Sequence, residues 1–426
     1  MKVDVWPSLL KGRVDAPGSK SDAQRMLACA ILAKGVSIIH QFPSGDDCDA
    51  ALQIAQDLGA IVTRSGSTVE IKGGFPQAFV SGIRNAKKAI HCGESGLASR
   101  MFASIVALSE NPIIVEGSGS LLKRPFADLI QALKQCGVDV ESNNSCLPLR
   151  IQGPLKGGHL ELDASLSSQF LTGMLIALSR ASEPSVIDVR DLNSIPYIDL
   201  TLQVLAQFGV LISHDNYTRF YITPKAWKGT ELTVPGDWSG GAFLLVAGAL
   251  CAEGGLLVGN LKVHSAQADK AILEVMNKAG VRYELQSDGI QVWQSEIYAF
   301  EFDATHCPDL FPPLVALAAF ANGVSIIQGV SRLIHKESNR AKTLQQEFAK
   351  AGIRIVLRDD EMKIYPAATR QSQIVAHNDH RIVMAAAVLG MAGAHTTILQ
   401  ADSVSKSFPG FFSLMHTAGA RITGAV

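Results

Sequence analysis

Cations stand where a helix end would ordinarily select against them. In APGSKSDAQRMLACAILAKG (16–35), Pro17-Gly18 reads as the end of a strand, Ser19-Lys20-Ser21 as the start of an apolar helix, and Arg25 as part of its first turns. Free backbone N–H groups and the helix dipole already favour an anion at such a start. Lys20 and Arg25 add two full charges that the positive helix end repels unless an anion arrives from outside. The plainer alternative is a lysine that points into water beside a cap. A Walker phosphate loop fails on spacing.

Other helix starts carry similar chemistry. HCGESGLASRMF (91–102) offers a Gly-rich turn and then Arg100, and ASLSSQFL (164–171) offers Ser167, Ser168 and Gln169. Asp237 in VPGDWSGGAF reads as an N-cap, Asp309 precedes Pro312 and Pro313 of a first helical turn, and NDHRIVMAAA supplies Asp379, His380 and Arg381. Connecting loops add Arg124 in LKRPFADL, Lys336, Glu337 and Arg340 in HKESNR, and Lys406 in SVSKSFPG. Singly, each is an ordinary solvated side chain. As a set they predict a cationic cleft for a ligand bearing several phosphate and carboxylate groups. Asp309 and Glu337 among these cations are either charge-balancing partners or proton carriers. His377 and His380 have an i, i+3 spacing that could serve zinc, but no third ligand is evident and a supporting or substrate-binding role fits better. Cys92, beside the Gly93 turn, is expected to be a buried inert thiol.

The elements that must position these groups recur along the chain. An amphipathic helix pattern followed by Gly and a short apolar strand appears six times, with glycines at 59, 137, 209, 280, 352 and 419. Each glycine suits a left-handed C′ position. A second, far more apolar helix alternates with the first, at 25–42, 100–118, 169–189, 240–261, 312–330 and 381–400, each running into a strand. A helix apolar all round must be surrounded by protein. Six units of about 70 residues result, which group three and three into two similar α/β domains with helices inside and sheets outside. The crossover lies in TPKAWKGTELTVPGDWSG (223–240), with Pro235-Gly236 as hinge, and the N-terminal strand belongs to the second domain. The expected domains are therefore 15–234, and 1–14 with 235–426, joined by two strands.

The 426 residues are 47% hydrophobic, enough for two large cores, and the net charge of −1 argues against a protein that coats nucleic acid or an anionic membrane. Seven cysteines without a C-x-x-C pair imply neither a disulfide framework nor a cysteine zinc site, and suit a reducing cytoplasm. No apolar run is long enough to span a bilayer, and the N-terminus lacks a signal-peptide layout, so a soluble protein is expected.

PGSKSDAQR, LKRPFADL, SSQFLTG, SIPYIDLTL, HKESNR, NDHR and SVSKSFPG, in this order, closely resemble the 5-enolpyruvylshikimate-3-phosphate synthases, the enolpyruvyl transferases of the shikimate pathway. The resemblance implies two inside-out α/β domains of three repeats each, joined by a two-strand hinge; two domains with a cationic face between them are in turn expected to close on substrate. It implies transfer of the 1-carboxyvinyl group of phosphoenolpyruvate to the 5-hydroxyl of shikimate 3-phosphate, by addition and elimination, releasing phosphate without metal or organic cofactor. It also implies a cytoplasmic monomer working in aromatic amino acid biosynthesis. Carried over, Lys20, Ser21 and Arg25 resemble shikimate-phosphate ligands, with Lys20 also reaching phosphoenolpyruvate. Ser167 and Ser168 would hold the phosphate of the first substrate, Gln169 would touch both substrates, and Ser194 and Tyr197 would complete the pocket. Gly96, Arg124, Arg340, Arg381 and Lys406 resemble the phosphoenolpyruvate clamp, with Lys336 beside it. Asp309 would serve as base at the hydroxyl, and Glu337, with Lys406, as partner for the methylene proton.

Departures from the family pattern are Glu94-Ser95-Gly96-Leu97 in place of Asn-Ala-Gly-Thr, Met101 for a frequent Pro, Asn339 for an acid, and Trp238, Gly240 and Gly241 for smaller or hydroxylated residues. A carboxylate at 94 weakens an anion clamp unless it turns away or pairs with a cation, so glyphosate sensitivity does not follow from the resemblance. Two rival readings are a non-catalytic anion-binding scaffold and the transferase acting on a UDP-linked amino sugar, whose expected loop cysteine has no counterpart here.

Overall fold

The structure, a computed structural model, describes residues 1–75, 88–334 and 336–424; His335 of the HKESNR motif lies outside them. The chain divides into two units, one of Lys20–Val234 (the N-terminal unit) and one of Met1–Ser19 with Pro235–Val426 (the C-terminal unit).

In the N-terminal unit the described helices are α1 (Lys20–Leu32), α2 (Asp46–Asp57), α3 (Gly96–Val106), α4 (Ala127–Gln135), α5 (Ser168–Leu178) and α6 (Pro196–Gln207). The C-terminal unit follows with α7 (Trp238–Cys251), α8 (Ile272–Lys278), α9 (Phe311–Ala318), α10 (Arg340–Lys350), α11 (His380–Ala392) and α12 (Phe411–Thr417). The odd-numbered helices are the inner ones: every residue of α3 and α9 is buried, and α5 leaves only Gln169 partly open. The even-numbered helices bury one face; α4 buries Leu129, Ile130, Ala132 and Leu133. Apolarity all round and apolarity on one stripe thus sort the helices into core and outer positions, as the residue pattern predicts.

Among the described residues each unit carries three four-stranded sheets of one topology: a parallel pair, then two antiparallel neighbours. In the N-terminal unit the orders are Glu231–Thr233, Val36–His40, Thr68–Lys72, Ile61–Ser65; then Ala89–His91, Ile113–Glu116, Cys146–Gln152, Asp139–Asn143; then Gly158–Asp163, Ser185–Arg190, Arg219–Ile222, Ser213–Asp215. In the C-terminal unit they are Gly12–Asp15, Leu256–Gly259, Gly289–Val292, Tyr283–Gln286; then Glu301–Asp303, Ser325–Gln328, Glu361–Tyr365, Arg354–Arg358; then Ser372–Val375, Thr396–Leu399, Lys2–Trp6, Arg421–Thr423. Strands alternate as half-buried sheets require: Val69 and Ile71 point inward while Glu70 and Lys72 face out.

The parallel partner of a strand normally comes from just before the inner helix that precedes it, as Ala89–His91 does for α3. The two strands at the crossings are exchanged. Gly12–Asp15, which leads into α1, pairs with Leu256–Gly259, and Glu231–Thr233, which leads into α7, pairs with Val36–His40. The C-terminal unit also holds residues 15–19, five more than the expected boundary at 14. Asp15 completes the ladder opposite Gly259, Asp237 N–H donates to Pro17 O, and Ser19 N–H donates to Pro235 O. These bonds tie the stretch to the second unit before α1 begins.

All six repeat glycines have positive φ, from 73° at Gly280 to 107° at Gly419. After each, the next N–H reaches back to the helix, as Val138 does to Leu133 O and Val281 to Met276 O, the 6→1 bond of a Schellman cap. Among the described residues no helix is long and apolar enough to cross a membrane.

Candidate active site

In the N-terminal unit the first turns of α1, α3 and α5 meet. Lys20 Nζ lies 2.8 Å from Asp47 Oδ2, which belongs to the acidic first turn of α2. Gln24 Nε2 donates to Asp47 O at 2.9 Å and to Ser95 Oγ at 3.3 Å, and Ser95 caps α3 by accepting from Ala98 N–H. Arg25 is buried. It donates to Thr201 Oγ1 (2.9 Å), Ser21 O (2.8 Å), Tyr197 O (3.3 Å) and Thr172 Oγ1 (3.4 Å), which joins α1 to α5 and α6. Burial lowers its pKa to about 10, leaving it a cation at neutral pH. Arg100 Nη1 donates to Gln169 Oε1 (2.8 Å) and Ser167 Oγ (3.2 Å), and its guanidinium lies 5.1 Å above the Phe170 ring. Ser167 is the N-cap of α5 and Ser168 its first residue. Ser194 is buried with φ 61° and accepts Tyr197 N–H at the start of α6.

Arg124 is buried, donates to Ser120 Oγ (3.3 Å), and lies so close to Gly96 that a Cβ there would stand 2.6 Å from Nη1. Glu94 packs over a second glycine in a similar way. Its carboxyl group covers Gly119, the first residue of the short turn that leads to Arg124, and fills the place a Cβ would take.

In the C-terminal unit Arg340 is the centre of an acid–cation cluster. Its Nη1 meets Asp309 Oδ1 at 2.8 Å, its Nη2 Glu337 Oε2 at 2.6 Å, and its Nε Asp379 Oδ2 at 2.9 Å. Arg381 Nη2 donates to Asp309 Oδ2 at 3.0 Å, and Lys336 Nζ lies 3.4 Å from Asp309 Oδ1. Burial opposes ionisation of Asp309, but Arg381, Lys336 and Arg340 together outweigh it and hold its carboxyl well below the usual range. Lys406 Nζ donates to Asn378 O at 2.7 Å, at a turn where His377 and Asn378 are both left-handed. The cluster presents cations able to grip phosphate and carboxylate, and acids able to exchange protons.

The predicted residues therefore gather in two clusters, Lys20 to Tyr197 in one unit and Asp309 to Lys406 in the other. Three groups that hold them, and a fourth acid that lies near them, were missed as site residues. Asp47 pairs with Lys20, Arg100 orients Ser167 and Gln169, Asp379 caps α11 and grips Arg340, and Asp269 is buried beside Asp309. Arg100 and Asp379 were visible at helix starts; an acid there reads first as a cap. His377 Nε2 contacts Glu347 Oε1 at 3.2 Å, His380 is buried, and among the described residues no group of three or more His, Cys, Asp or Glu is arranged to hold a metal. Cys92 is fully buried, and burial raises its thiol pKa, as an inert role requires.

Some departures have local reasons. Asn339 still caps α10, accepting Lys342 N–H at 3.3 Å. A Cβ at Gly240 would come within 3.1 Å of Pro17, and one at Gly241 within 2.9 Å of Leu261, so both positions follow from close packing of α7. Trp238 is buried and donates from its indole to Lys262 O.

Compared with known proteins, residues 6–415 match the family model described as EPSP synthase (3-phosphoshikimate 1-carboxyvinyltransferase). The 3-phosphoshikimate 1-carboxyvinyltransferase of Clostridium kluyveri is 32% identical over 424 residues, 99% of this chain and 98% of that protein. The protein of the same name from Aeropyrum pernix is 33% identical over 425 residues, 99% and 96% of the two chains. In fold, an EPSP synthase from Acinetobacter baumannii aligns with TM-score 0.81 at 23% identity over 99% of both chains. The enolpyruvyl transferase NikO from Streptomyces tendae aligns with TM-score 0.77 at 16% identity, over 99% of this chain and 98% of that one.

Proposed function

The chain belongs to the EPSP synthase family and is an enolpyruvyl transferase of the shikimate pathway acting on shikimate 3-phosphate and phosphoenolpyruvate; from that premise we propose how its residues divide the work. Lys20, Ser21, Arg25, Ser167, Ser168, Gln169, Ser194 and Tyr197 take shikimate 3-phosphate, and Gly96, Arg124, Lys336, Arg340, Arg381 and Lys406 take phosphoenolpyruvate. The single observation behind this division is that Asp309 binds Lys336, Arg340 and Arg381 at once.

A carboxylate held by three cations is a weak base. An incoming phosphate or carboxylate competes for the same donors. As phosphoenolpyruvate draws the guanidinium groups to itself, Asp309 regains basicity where the 5-hydroxyl must lose its proton. The hydroxyl oxygen adds to C2 of phosphoenolpyruvate while C3 gains a proton from the Glu337–Lys406 pair. In the second half the same C3 returns a proton, the C2–O bond to phosphate breaks, and phosphate leaves with its charge met by the arginines. We assign the protein to the cytoplasm as a monomer; seven free cysteines accord with a reducing compartment.

The family match favours this reading over a scaffold or a UDP-sugar transferase. Phosphate release that requires both phosphoenolpyruvate and shikimate 3-phosphate tests it. Release with a UDP-linked amino sugar instead, or none with either acceptor, overturns it. Turnover of Asp309→Ala within tenfold of wild type would remove Asp309 from the proton path.

A further inference from the structure

The C-terminal unit buries a carboxyl that this division of roles leaves unused. Asp269 is 1% exposed, in the short turn Ala268–Ala271. Ser239 Oγ donates to its Oδ2, and its Oδ1 is buried with no hydrogen-bond partner among the described residues. The turn is fixed on the start of α7, because Gln267 accepts Trp238 N–H (2.9 Å) and donates to Gly236 O (2.9 Å). The charged and titratable groups facing Asp269 are Asp237 at the start of α7, Cys307 and Asp309 ahead of α9, and Arg381 at the start of α11.

Two neighbouring carboxyls therefore meet opposite surroundings. Lys336, Arg340 and Arg381 bond to Asp309 and hold it ionised. Among the described residues the Asp269 carboxyl has one hydrogen-bond partner, a hydroxyl; burial first, and then the charge on Asp309, pushes it up to about 7, with Arg381 and Ser239 opposing. Surroundings that split a pair of acids in this way mark one as proton acceptor and the other as proton holder.

We propose that Asp269 keeps its proton in the working enzyme and is a positioning residue for Arg381 and Asp309: neutral, it leaves the Arg381 guanidinium to the substrate anion, and ionised, it competes for it. This rests on the enolpyruvyl-transfer reading of the same cluster. An anion bound at Arg381 adds negative charge near Asp269 and occupies the cation that opposes its protonation. Substrate binding and protonation of Asp269 thus reinforce one another, as linkage requires.

The test is the pH dependence of phosphate release by wild type and Asp269→Asn, whose amide has the shape of the neutral acid at every pH. In the wild type, kcat/KM for phosphoenolpyruvate at saturating shikimate 3-phosphate should fall by up to about tenfold per pH unit above about pH 7, through a rise in KM. Asp269→Asn should lose less than about tenfold at pH 6 and lack that fall. A flat wild-type profile between pH 6 and 9 overturns the proposal without any variant. So does an Asp269→Asn profile parallel to wild type, or a loss above about a hundredfold at pH 6. Absence of phosphate release by wild type with both substrates overturns the functional reading instead, so the two failures are distinct.

Discussion

Asp379 grips Arg340 with both carboxylate oxygens, at 2.9 Å from Nε and 3.2 Å from Nη2, while the carboxylate is fully buried and the arginine side chain is 1% exposed. The same carboxylate caps α11 through Arg381 N–H and accepts from Ser338 Oγ. One acid thereby holds two of the three arginines assigned to phosphoenolpyruvate, Arg340 by its side chain and Arg381 by its backbone. Removing one partner of a buried pair leaves the other charge uncompensated, so Asp379→Ala should cost about 3–5 kcal/mol by chemical denaturation. Asp379→Asn keeps a capping oxygen and should destabilise less, yet still raise KM for phosphoenolpyruvate more than KM for shikimate 3-phosphate.

Gly96 and Arg124 make a sharper steric case. A Cβ at 96 would stand 2.6 Å from Arg124 Nη1, so Gly96→Ala must displace the guanidinium. The displaced group is the far end of a long side chain, so the fold should lose less than about 1 kcal/mol. KM for phosphoenolpyruvate should rise about tenfold or more, and steady-state kinetics with each substrate varied will show whether the effect stays on that substrate.

The contrast explains what the residues alone could reveal. Helix class and helix ends were legible because they depend on local pattern: an apolar stripe or cylinder, then a glycine that can take positive φ, as at Gly137 and Gly209. The exchange of Gly12–Asp15 and Glu231–Thr233 was legible only in outline. Both strands read alike, and only the ladder to Gly259 and the bonds at Pro17 and Ser19 fix where the second unit ends. Cations at helix starts could be found because they contradict the dipole. Asp47 and Asp379 obey it and so look like caps, and Asp269 acquires its character from burial beside Asp309, which no spacing encodes.

Arg25 tests the assignment in the N-terminal unit. Its four hydrogen bonds run to α1, α5 and α6, so a shorter cation cannot reproduce them. Arg25→Lys should raise KM for shikimate 3-phosphate at least about tenfold with a smaller change for phosphoenolpyruvate, since Arg25 touches none of the groups assigned to the latter. Equal increases for both substrates would contradict the division of roles.

The stability of the fold should depend on pH through Asp269 with a defined sign. Its pKa is raised from 3.8 to about 7 on folding, so between those values the folded protein binds a proton that the unfolded chain has released. The resulting stability is full below about pH 4 and is lost as pH rises towards 7, by at most about 1.4 kcal/mol per pH unit. Asp269→Asn does not titrate. Its stability relative to wild type should therefore increase from pH 4 to pH 7 and level off above, as read by urea denaturation across that range.

Two of the repeat glycines separate backbone strain from crowding. Gly209 has φ 78° and nothing within 4 Å of a would-be Cβ, so Gly209→Ala should cost only the left-handed penalty, about 1–2 kcal/mol. Gly419 has φ 107°, and its Cβ would fall 2.7 Å from the Leu9 carbonyl. That carbonyl cannot rotate away as a side chain does, since the same loop is tied to the end of α12 by Lys11 N–H to Ala418 O at 3.0 Å. Gly419→Ala should therefore cost at least about 1 kcal/mol more than Gly209→Ala, while phosphate release at a temperature where both are folded stays at the wild-type rate. Equal costs at the two sites would mean that the N-terminal loop yields freely, and that the helix cap alone sets the value of the glycine.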